Sequence, residues 1–288
     1  MFRSPLRTRH SRAAHGDEGA RRNAWQRRDR VTYVAHEFHD LLLWATPHGI
    51  VESVRSRRML RRLGAVTTRP GAARLACEAR LDLLPPQALR LLDTVIDVGA
   101  NEGRWSMAVA VLARPRRLIA VEPSPEILPR LRAAIGGING VAIVEAAALD
   151  SVGEATLHLT AHSHNASLFT PRTTEMDGFY GSGYAVTGQA RVTTTTLDEI
   201  TRDVDEVSLL KIDAQGAERA VLAGAAQALA KTRWLLIEAN FRSHYEGDML
   251  FSELHALLAR CGFALSGLSA PHVREGIALW CDCLYTRT

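Results

Sequence analysis

Cysteine is scarce in this sequence, and long apolar runs are absent. Only four cysteines occur among 288 residues, without a Cys-x-x-Cys pair or a histidine spacing of the zinc-binding kind. We therefore expect no metal site, no disulfide framework, and reduced thiols in a cytoplasmic protein. No run reaches the roughly 18 apolar residues that a membrane span requires, and no apolar segment follows the Arg-rich start as in a secretory signal. With 47% hydrophobic residues, the chain can bury the core of one or two globular domains.

Lysine is absent from the first 74 residues, which contain 16 arginines against six acids. The remaining residues carry more acids than bases, so the pI of about 9.1 reflects the N-terminal part alone. We expect residues 1–71 to form an Arg-rich arm with helices and residues 72–288 to form the main domain. The arginines between Ile50 and Leu63 have two interpretations. They form either a basic amphipathic helix that contacts an anionic surface, such as nucleic acid or lipid headgroups, or a solvated helical face, which is the commoner outcome.

Short apolar runs alternate with helical patterns from about residue 72 onward. The apolar runs predict strands at Thr94–Val98, Leu118–Val121, Ala142–Glu145, Ala155–Leu159, Val207–Ile212, Trp234–Glu238, Gly262–Leu265 and Ile277–Leu284. The helical patterns predict helices at Ala73–Leu83, Trp105–Leu112, Glu126–Ile135, Glu218–Lys231 and Phe251–Arg260. This alternation, with nearly continuous apolar strands, predicts an α/β fold with a mostly parallel sheet and helices on both faces.

The first predicted strand ends in an acidic, glycine-rich turn, Asp97-Val-Gly99-Ala-Asn101-Glu-Gly103. Glycine lets a ligand approach bare backbone, and both glycine and asparagine tolerate a positive φ. A dinucleotide fingerprint fails because Asn101 and Arg104 stand where its second and third glycines should be, and the Gly-Lys-Ser/Thr of a P-loop is absent. The acid would repel a pyrophosphate but suits a cationic group. S-Adenosylmethionine, which has an ammonium and a sulfonium but no phosphate, fits this turn; an ordinary strand-to-helix turn is the alternative.

Two further predicted strands also end in acids. Glu122-Pro123 follows the second strand, where nucleotide-binding α/β folds hold a ribose diol. Lys211 and Asp213 lie two residues apart near the end of another strand, so their side chains share a face. Asp213 could orient an acceptor, accept a proton or hold a polar part of the cofactor; the alternative is a local ion pair with Lys211. Because Asp97 is placed at the same sheet edge, we favour a ligand site there.

Five segments in order resemble the FkbM family of S-adenosylmethionine-dependent methyltransferases. They are the Asp97–Gly103 turn, Val121-Glu-Pro123, Val192–Asp198, Leu210–Glu218 and Val221-Leu-x-Gly-Ala225. The resemblance spans roughly residues 72–285 and implies a class I methyltransferase (Rossmann-like) fold. It also implies O-methylation of a hydroxyl on a sugar, glycolipid or polyketide-type metabolite. By position, it implies that the methionine end of the cofactor is lined by Asp97, Gly99, Ala100, Asn101 and Gly103, that the ribose is held at Glu122 and Pro123, and that Asp150 lies near the adenine.

The chain departs from the family at Gln215, where the family commonly has glutamate. If that acid acts as a base, this chain has lost it; if it only forms hydrogen bonds, glutamine can replace it. A histidine-rich insert offers His162 or His164 as a base for the acceptor hydroxyl, although metal binding and a plain surface loop are alternatives. The Gly178–Gly188 stretch is predicted to be a mobile loop that closes over substrate.

Three other functions compete with this interpretation. A nucleic-acid methyltransferase would use the basic arm, but the Asn/Asp-Pro-Pro-aromatic motif typical of amine-directed enzymes is missing at Ile212–Gln215. An NAD-dependent oxidoreductase is disfavoured by the broken fingerprint. A non-catalytic cofactor-binding or scaffold protein is the third, and Gln215 adds weight to it. The expected partner is a small-molecule or glycan acceptor rather than nucleic acid, with a peripheral contact of the arm to an anionic membrane as an additional expectation.

Overall fold

The computed structural model of the protein describes residues 75–85, 87–172 and 181–288. The predicted arm, residues 1–71, and the boundary that follows it lie outside the described residues. So do residues 178–180 of the predicted mobile loop. No helix in the described part is long and apolar enough to cross a membrane.

The described chain alternates between strands and helices from Thr94 onward. The strands are β1 (Thr94–Val98), β2 (Arg117–Val121), β3 (Val141–Val144), β4 (Ala147–Ala148), β5 (Gly153–Thr160), β6 (Val186–Thr195), β7 (Val207–Ile212), β8 (Thr232–Asn240), β9 (Phe263–Leu268), β10 (His272–Arg274) and β11 (Ile277–Arg287). The α-helices are α1 (Arg104–Leu112), α2 (Leu128–Ile135), α3 (Leu197–Ile200), α4 (Glu218–Ala223), α5 (Ala226–Ala230) and α6 (Phe251–Arg260).

The main sheet has the strand order β10-β11-β8-β7-β1-β2-β3, and β9 also pairs with β11. The pairs from β8 through β7, β1 and β2 to β3 are parallel, whereas β11 runs antiparallel to β8, β9 and β10. The predicted α/β fold with a mostly parallel sheet is therefore confirmed. The carboxyl ends of β1, β2, β7 and β8 meet at one edge, which is where open α/β sheets bind ligands.

Helices cover both faces of this sheet. Successive residues of each buried strand point to opposite faces, so neighbouring residues pack against different helices. On one face, Ile96 and Val98 of β1 pack in a cluster that includes Val221 of α4 and Leu258 of α6. On the other face, Val95 packs with residues of α1. Helix α2 covers the same side as α1 through Leu131 and Ile135. A sheet buried on both faces explains the nearly continuous apolar runs in the sequence.

A second, three-stranded sheet has the order β4-β6-β5. Its strands β4 and β6 have no counterpart among the predicted strands, and residues 186–188, predicted as part of a mobile loop, lie in β6. The strand β6 is mostly polar and mostly exposed, with Val192 and Thr194 buried. Its apolar signal is therefore too weak to show in the sequence.

Two predicted helices are wrong in extent. The helix predicted at Ala73–Leu83 is replaced, in its described part, by a helical turn over residues 75–78 and a 3-10 helix at Leu81–Leu83, separated by Arg80 at φ 56°. The helix predicted at Glu218–Lys231 divides into α4 and α5 at Gly224. A Cβ on Gly224 would lie 2.0 Å from the carbonyl oxygen of Leu149, so tertiary contact with the start of the second sheet determines where α4 ends.

Candidate active site

The turn after β1 is built from residues with positive φ. Gly99, Asn101 and Gly103 have φ angles of 75°, 47° and 82°, and Gly103 is the N-cap of α1. A Cβ on Gly99 would lie 1.9 Å from the carbonyl oxygen of Asp213. Ala100 is buried within the turn. The turn after β1 and the turn after β7 therefore touch backbone to backbone, which requires glycine at position 99.

Asp97 is fully buried and supports this turn from within the sheet. Its Oδ2 accepts a hydrogen bond from Ser106 Oγ at 2.7 Å, and its Oδ1 lies 3.1 Å from Lys211 Nζ. Asp97 and Lys211 are direct neighbours in the β1–β7 register. The cation beside Asp97 is thus the chain's own lysine. These contacts of Asp97 orient Lys211 and α1, and the assignment of Asp97 to the methionine end of a cofactor stays a prediction.

Glu122, at the end of β2, fixes the other side of the turn. Its two carboxylate oxygens accept hydrogen bonds from the backbone amides of Asn101 and Ser124, each at 2.8 Å. Burial raises the pKa of Glu122, although both amides favour its ionised form. Each oxygen keeps a second lone pair, so Glu122 can still accept hydroxyl donors. Pro123 follows directly after Glu122 and is itself partly buried.

Lys211 connects the two turns. Its Nζ donates a hydrogen bond to the carbonyl oxygen of Gly99 at 3.2 Å and lies 3.4 Å from Asp213 Oδ2, so the local ion pair considered as an alternative does form. Burial lowers the pKa of Lys211, but the attraction of Asp97 and Asp213 outweighs it and raises the pKa above its usual value. Lys211 therefore stays protonated and cannot serve as a base. Its role is to hold Asp213 and the Gly99 turn in place.

Gln215 bridges Asp213 to a buried tyrosine. Its Nε2 donates to Asp213 Oδ1 at 2.7 Å, and its Oε1 accepts from Tyr245 Oη at 3.0 Å. Tyr245 is 1% exposed, and its single O–H is shared with the carbonyl oxygen of Asn165 at 3.2 Å. An ionised glutamate at this position could not donate to Asp213. The geometry therefore favours the hydrogen-bonding role for position 215 over a role as base.

Glu218 closes the turn after β7 at the start of α4. Its Oε1 accepts hydrogen bonds from the backbone amides of Ala214 and Gly216, at 3.0 and 3.3 Å. Burial raises its pKa to about 7, with a further contribution from the charge of Asp213. This is the helix-start role considered for Glu218 in the sequence, now with identified donors.

Two polar residues at the end of β8 were missed from the sequence, Glu238 and Asn240. Burial and the neighbouring charges of Asp213, Glu218 and Asp282 raise the pKa of Glu238 well above its usual value. Asn240 is 3% exposed. The signal was available, because the predicted strand Trp234–Glu238 ends in an acid as the strands before Glu122 and Asp213 do.

The remaining predicted site residues lie apart from this cluster. His164 is exposed, and its ring stacks on His162 with centroids 5.5 Å apart. The described contacts of its loop with Gln215 and Tyr245 are made by Ser167 and Asn165. Asp150 is exposed after β4, beside Gly224 at the far end of α4, and accepts a hydrogen bond from Ser151. In the described ranges no group of three or more acids, histidines and cysteines could hold a metal ion.

Comparison with known proteins identifies the family. Residues 97–265 match the family described as "Methyltransferase FkbM domain". The 2-O-methyltransferase NoeI of Sinorhizobium fredii is 26% identical over 164 residues, which cover 54% of this chain and 66% of that protein. The AMB antimetabolite synthetase AmbE of Pseudomonas aeruginosa is 29% identical over 219 residues, which cover 64% of this chain and 10% of that protein. The chain thus spans just under two thirds of the length of the first relative and a tenth of the second.

Solved structures show only a distant likeness. The chain resembles Aeropyrum pernix fibrillarin in complex with S-adenosyl-L-methionine at 14% identity, with a TM-score of 0.44 and 73% of each chain covered. It resembles magnesium protoporphyrin IX methyltransferase from Synechocystis PCC 6803 at 11% identity, with a TM-score of 0.43 and 89% and 96% covered. The sequence match carries the assignment. Because it includes more than half of the chain, this protein belongs to the FkbM domain family of S-adenosylmethionine-dependent methyltransferases.

Proposed function

We propose that the chain transfers the methyl group of S-adenosylmethionine to a hydroxyl oxygen of a small-molecule or glycan acceptor, such as a sugar, glycolipid or polyketide-type metabolite. The family and the relative named as a 2-O-methyltransferase support oxygen as the atom methylated. The observation that carries the proposal is the contact of the Gly99 turn with the Asp213 turn. Through this contact, the backbone of the Gly99 turn, which a ligand can approach, lies next to the carboxylate of Asp213.

The residues around the turn fit a cofactor without phosphate. The buried lysine at this edge, Lys211, is already paired with Asp97 and Asp213, so it is not available to a pyrophosphate. When bound, the cofactor supplies an activated methyl group on a sulfonium. We assign its methionine end to the backbone of Gly99, Ala100, Asn101 and Gly103, and its ribose hydroxyls to Glu122 next to Pro123. Asp97 acts behind this layer, and Asp150 is not included because it lies beside the far end of α4.

On the acceptor side, Asp213 is the residue that positions the hydroxyl. Lys211 and Gln215 hold its carboxylate in place, so it can accept a hydrogen bond from the attacking hydroxyl. Holding the acceptor in line and excluding water are the protein's main contributions. His164 remains a second candidate for accepting the proton, because its loop contacts Gln215 through Ser167.

Calorimetric titration with S-adenosylhomocysteine tests the cofactor assignment. We expect micromolar binding, no binding of NAD, and at least about tenfold weaker binding in Glu122→Ala, equal to about 1.4 kcal/mol. The matched control is Glu145→Ala, which follows the neighbouring strand β3 and pairs on the surface with Arg132. Absence of S-adenosylhomocysteine binding to the unchanged protein would contradict the proposal.

Comparing turnover with binding tests the division of roles. We expect Asp213→Ala to reduce kcat by at least about a hundredfold, the range for a positioned acid–base group, with little change in S-adenosylhomocysteine affinity. His164→Ala should lower kcat only if that histidine accepts the proton. If Asp213→Ala and Glu122→Ala lose cofactor affinity equally, the assigned roles are wrong. Cofactor binding without turnover across many acceptors would favour a scaffold instead.

A further inference from the structure

Three carboxylates lie side by side on β7, β8 and β11: Asp213 directly follows β7, Glu238 is near the end of β8, and Asp282 lies within β11. In the parallel β7–β8 register Ile212 lies beside Ile237, so the next residues, Asp213 and Glu238, are neighbours on the same face. In the antiparallel β8–β11 register Glu238 lies beside Asp282. Neighbouring strands are about 4.8 Å apart. The Glu238 carboxyl group is therefore flanked by an acid on each side.

The two outer acids have cationic partners. Asp213 is paired with Lys211 at 3.4 Å, and Asp282 accepts a bond from Arg80 Nε at 2.7 Å. Burial and the neighbouring carboxylates raise the pKa of Glu238 well above its usual value, which favours its protonated, neutral form. It then has one O–H to donate and oxygens that accept.

Asn240 gives an independent reason to expect a ligand here. It follows Glu238 by two residues on β8, so strand alternation places both side chains on the same face. It is 3% exposed, and its Oδ1 has no hydrogen-bond partner among the residues that the structure describes. Burying an acceptor without a donor costs free energy. A ligand O–H or N–H at this position would remove that cost.

An aromatic surface stands beside Asn240. Trp280 is its direct neighbour on β11, and the Trp280 ring stacks on His272 with centroids 5.3 Å apart. Because β11 runs antiparallel to β8, its first residues stand at the same sheet edge as the end of β8. An indole face accommodates the apolar C–H face of a ring whose hydroxyls point to polar groups.

We propose that Asp213, Glu238, Asn240 and Trp280 form the acceptor subsite and that it selects an uncharged, polyhydroxylated ring. This inference rests on the proposed function and specifies its substrate class. Asp213 and Asn240 accept hydrogen bonds from hydroxyls, and Glu238 both donates and accepts. Phosphorylated or carboxylated acceptors are disfavoured, because the carboxylates of Asp213 and Asp282 repel an anion and the cations paired with them, Lys211 and Arg80, are already engaged.

The experiment uses the full chain with S-adenosylmethionine and measures formation of S-adenosylhomocysteine. The probes are methyl glycosides of glucose, galactose, mannose and rhamnose, with glucose 6-phosphate and glucuronate as anionic counterparts. We expect at least one neutral glycoside to be methylated, with kcat/KM at least tenfold above that of either anionic sugar. Preference for the anionic sugars, or no turnover of any uncharged glycoside, would overturn the proposal.

Variants test the residues, and S-adenosylhomocysteine affinity checks that each is folded. We expect Glu238→Ala and Asn240→Leu to raise KM for the glycoside at least tenfold. Glu238→Gln, which keeps a donor and an acceptor in a side chain of the same size, should raise KM less than Glu238→Ala does. The matched control is Glu154→Gln on the second sheet, where Glu154 pairs with Arg191. Unchanged KM in Glu238→Ala and Asn240→Leu would overturn this subsite. Loss of S-adenosylhomocysteine binding by the unchanged protein would instead contradict the proposed function.

Discussion

At the scale of single residues, Gly99 determines whether the two turns of the site can meet. Its φ of 75° and the 1.9 Å approach of the Asp213 carbonyl oxygen to the position of a Cβ leave no room for a side chain. We expect Gly99→Ala to lower the free energy of unfolding by about 2–4 kcal/mol and to abolish binding of S-adenosylhomocysteine. Urea unfolding and calorimetry measure the two effects.

Gly137 provides the control for that substitution. A Cβ at Gly137 would have no atom within 4 Å, so Gly137→Ala should change stability by less than about 0.5 kcal/mol and leave binding intact. If both substitutions behave alike, the contact between the two turns does not determine binding.

Gln215 is the residue at which this chain differs from its family's usual glutamate, and it has a specific partner on each side. In Gln215→Glu a second carboxyl group would face Asp213 in place of the amide donor. Two adjacent carboxyl groups raise the pKa of one of them. We expect the acidic limb of the kcat–pH profile to move upward by about one pH unit or more, because Asp213 must be ionised to act.

The control for this change is Gln189→Glu, on exposed β6 beside His158. It should leave both the profile and the affinity for S-adenosylhomocysteine unchanged. A profile that is identical in Gln215→Glu and the unchanged protein would show that Gln215 does not influence the ionisation of Asp213.

At the scale of helices and strands, burial decided what the sequence could predict. Strands β1 and β7 and helix α6 agree end to end with their predicted bounds, because each is framed by a clear apolar run or helical period. Strand β6 was missed because it is largely polar and half of its residues are exposed, and β4 was missed because it has only two residues. The division between α4 and α5 depends on contact of Gly224 with Leu149, which is 75 residues away in sequence and leaves no local signal.

The candidate site, like the fold, could be predicted from the sequence only in part. The positions of Glu122 and Asp213 at strand ends follow from local patterns. Their partners do not, since Tyr245 reaches Gln215 from 30 residues away and Lys211 reaches Asp97 across a register that only the folded sheet defines. Glu238 could have been found by the strand-end argument, whereas the rise in its pKa depends on its burial in the folded sheet and on the acids brought beside it.

The segment between β8 and α6 contains a buried histidine that makes stability depend on pH. Burial lowers the pKa of His244 from 6.5 to about 4. The folded state therefore binds fewer protons than the unfolded chain between these values, and the stabilising contribution present above pH 6.5 is lost as the pH falls toward 4. The loss is about 3 kcal/mol, at about 1.4 kcal/mol per pKa unit. Urea unfolding between pH 4 and 7 measures it.

The variant His244→Gln isolates this effect. It should remove the dependence of the free energy of unfolding on pH that His244 causes, even if it also shifts that free energy by the same amount at every pH. Glu218, with a pKa raised to about 7, contributes the opposite slope, since its stabilising contribution falls as the pH rises from 4.5 to about 7. Because Glu218 is present in both proteins, its slope cancels in the difference. His158→Gln, on β5, is the matched control. Equal slopes in His244→Gln and the unchanged protein would contradict the assignment to His244.

At the scale of the whole molecule, charge is divided between the basic first 74 residues and an acidic remainder. The proposed acceptor subsite would disfavour anionic ligands. The arginines of the first 74 residues would have the opposite preference, at about 1 kcal/mol per arginine near an anionic lipid surface. A glycolipid acceptor would lie at a membrane surface. An arm that binds anionic headgroups would bring the protein to that surface, and the acceptor subsite would not itself need to bind an anion.

This division predicts how the intact protein binds vesicles. We expect binding to vesicles of phosphatidylcholine with phosphatidylglycerol but not to phosphatidylcholine alone, and the binding should weaken as salt is raised. Replacing Arg55, Arg57, Arg58, Arg61 and Arg62 by glutamine should weaken it by at least about tenfold, while S-adenosylhomocysteine affinity stays unchanged. The control replaces five exposed arginines of the described domain, Arg90, Arg114, Arg130, Arg191 and Arg202. If both sets of substitutions weaken vesicle binding equally, net charge alone controls the binding. If neither set weakens it, the arginines between residues 50 and 63 form a solvated face and do not direct this protein to a membrane.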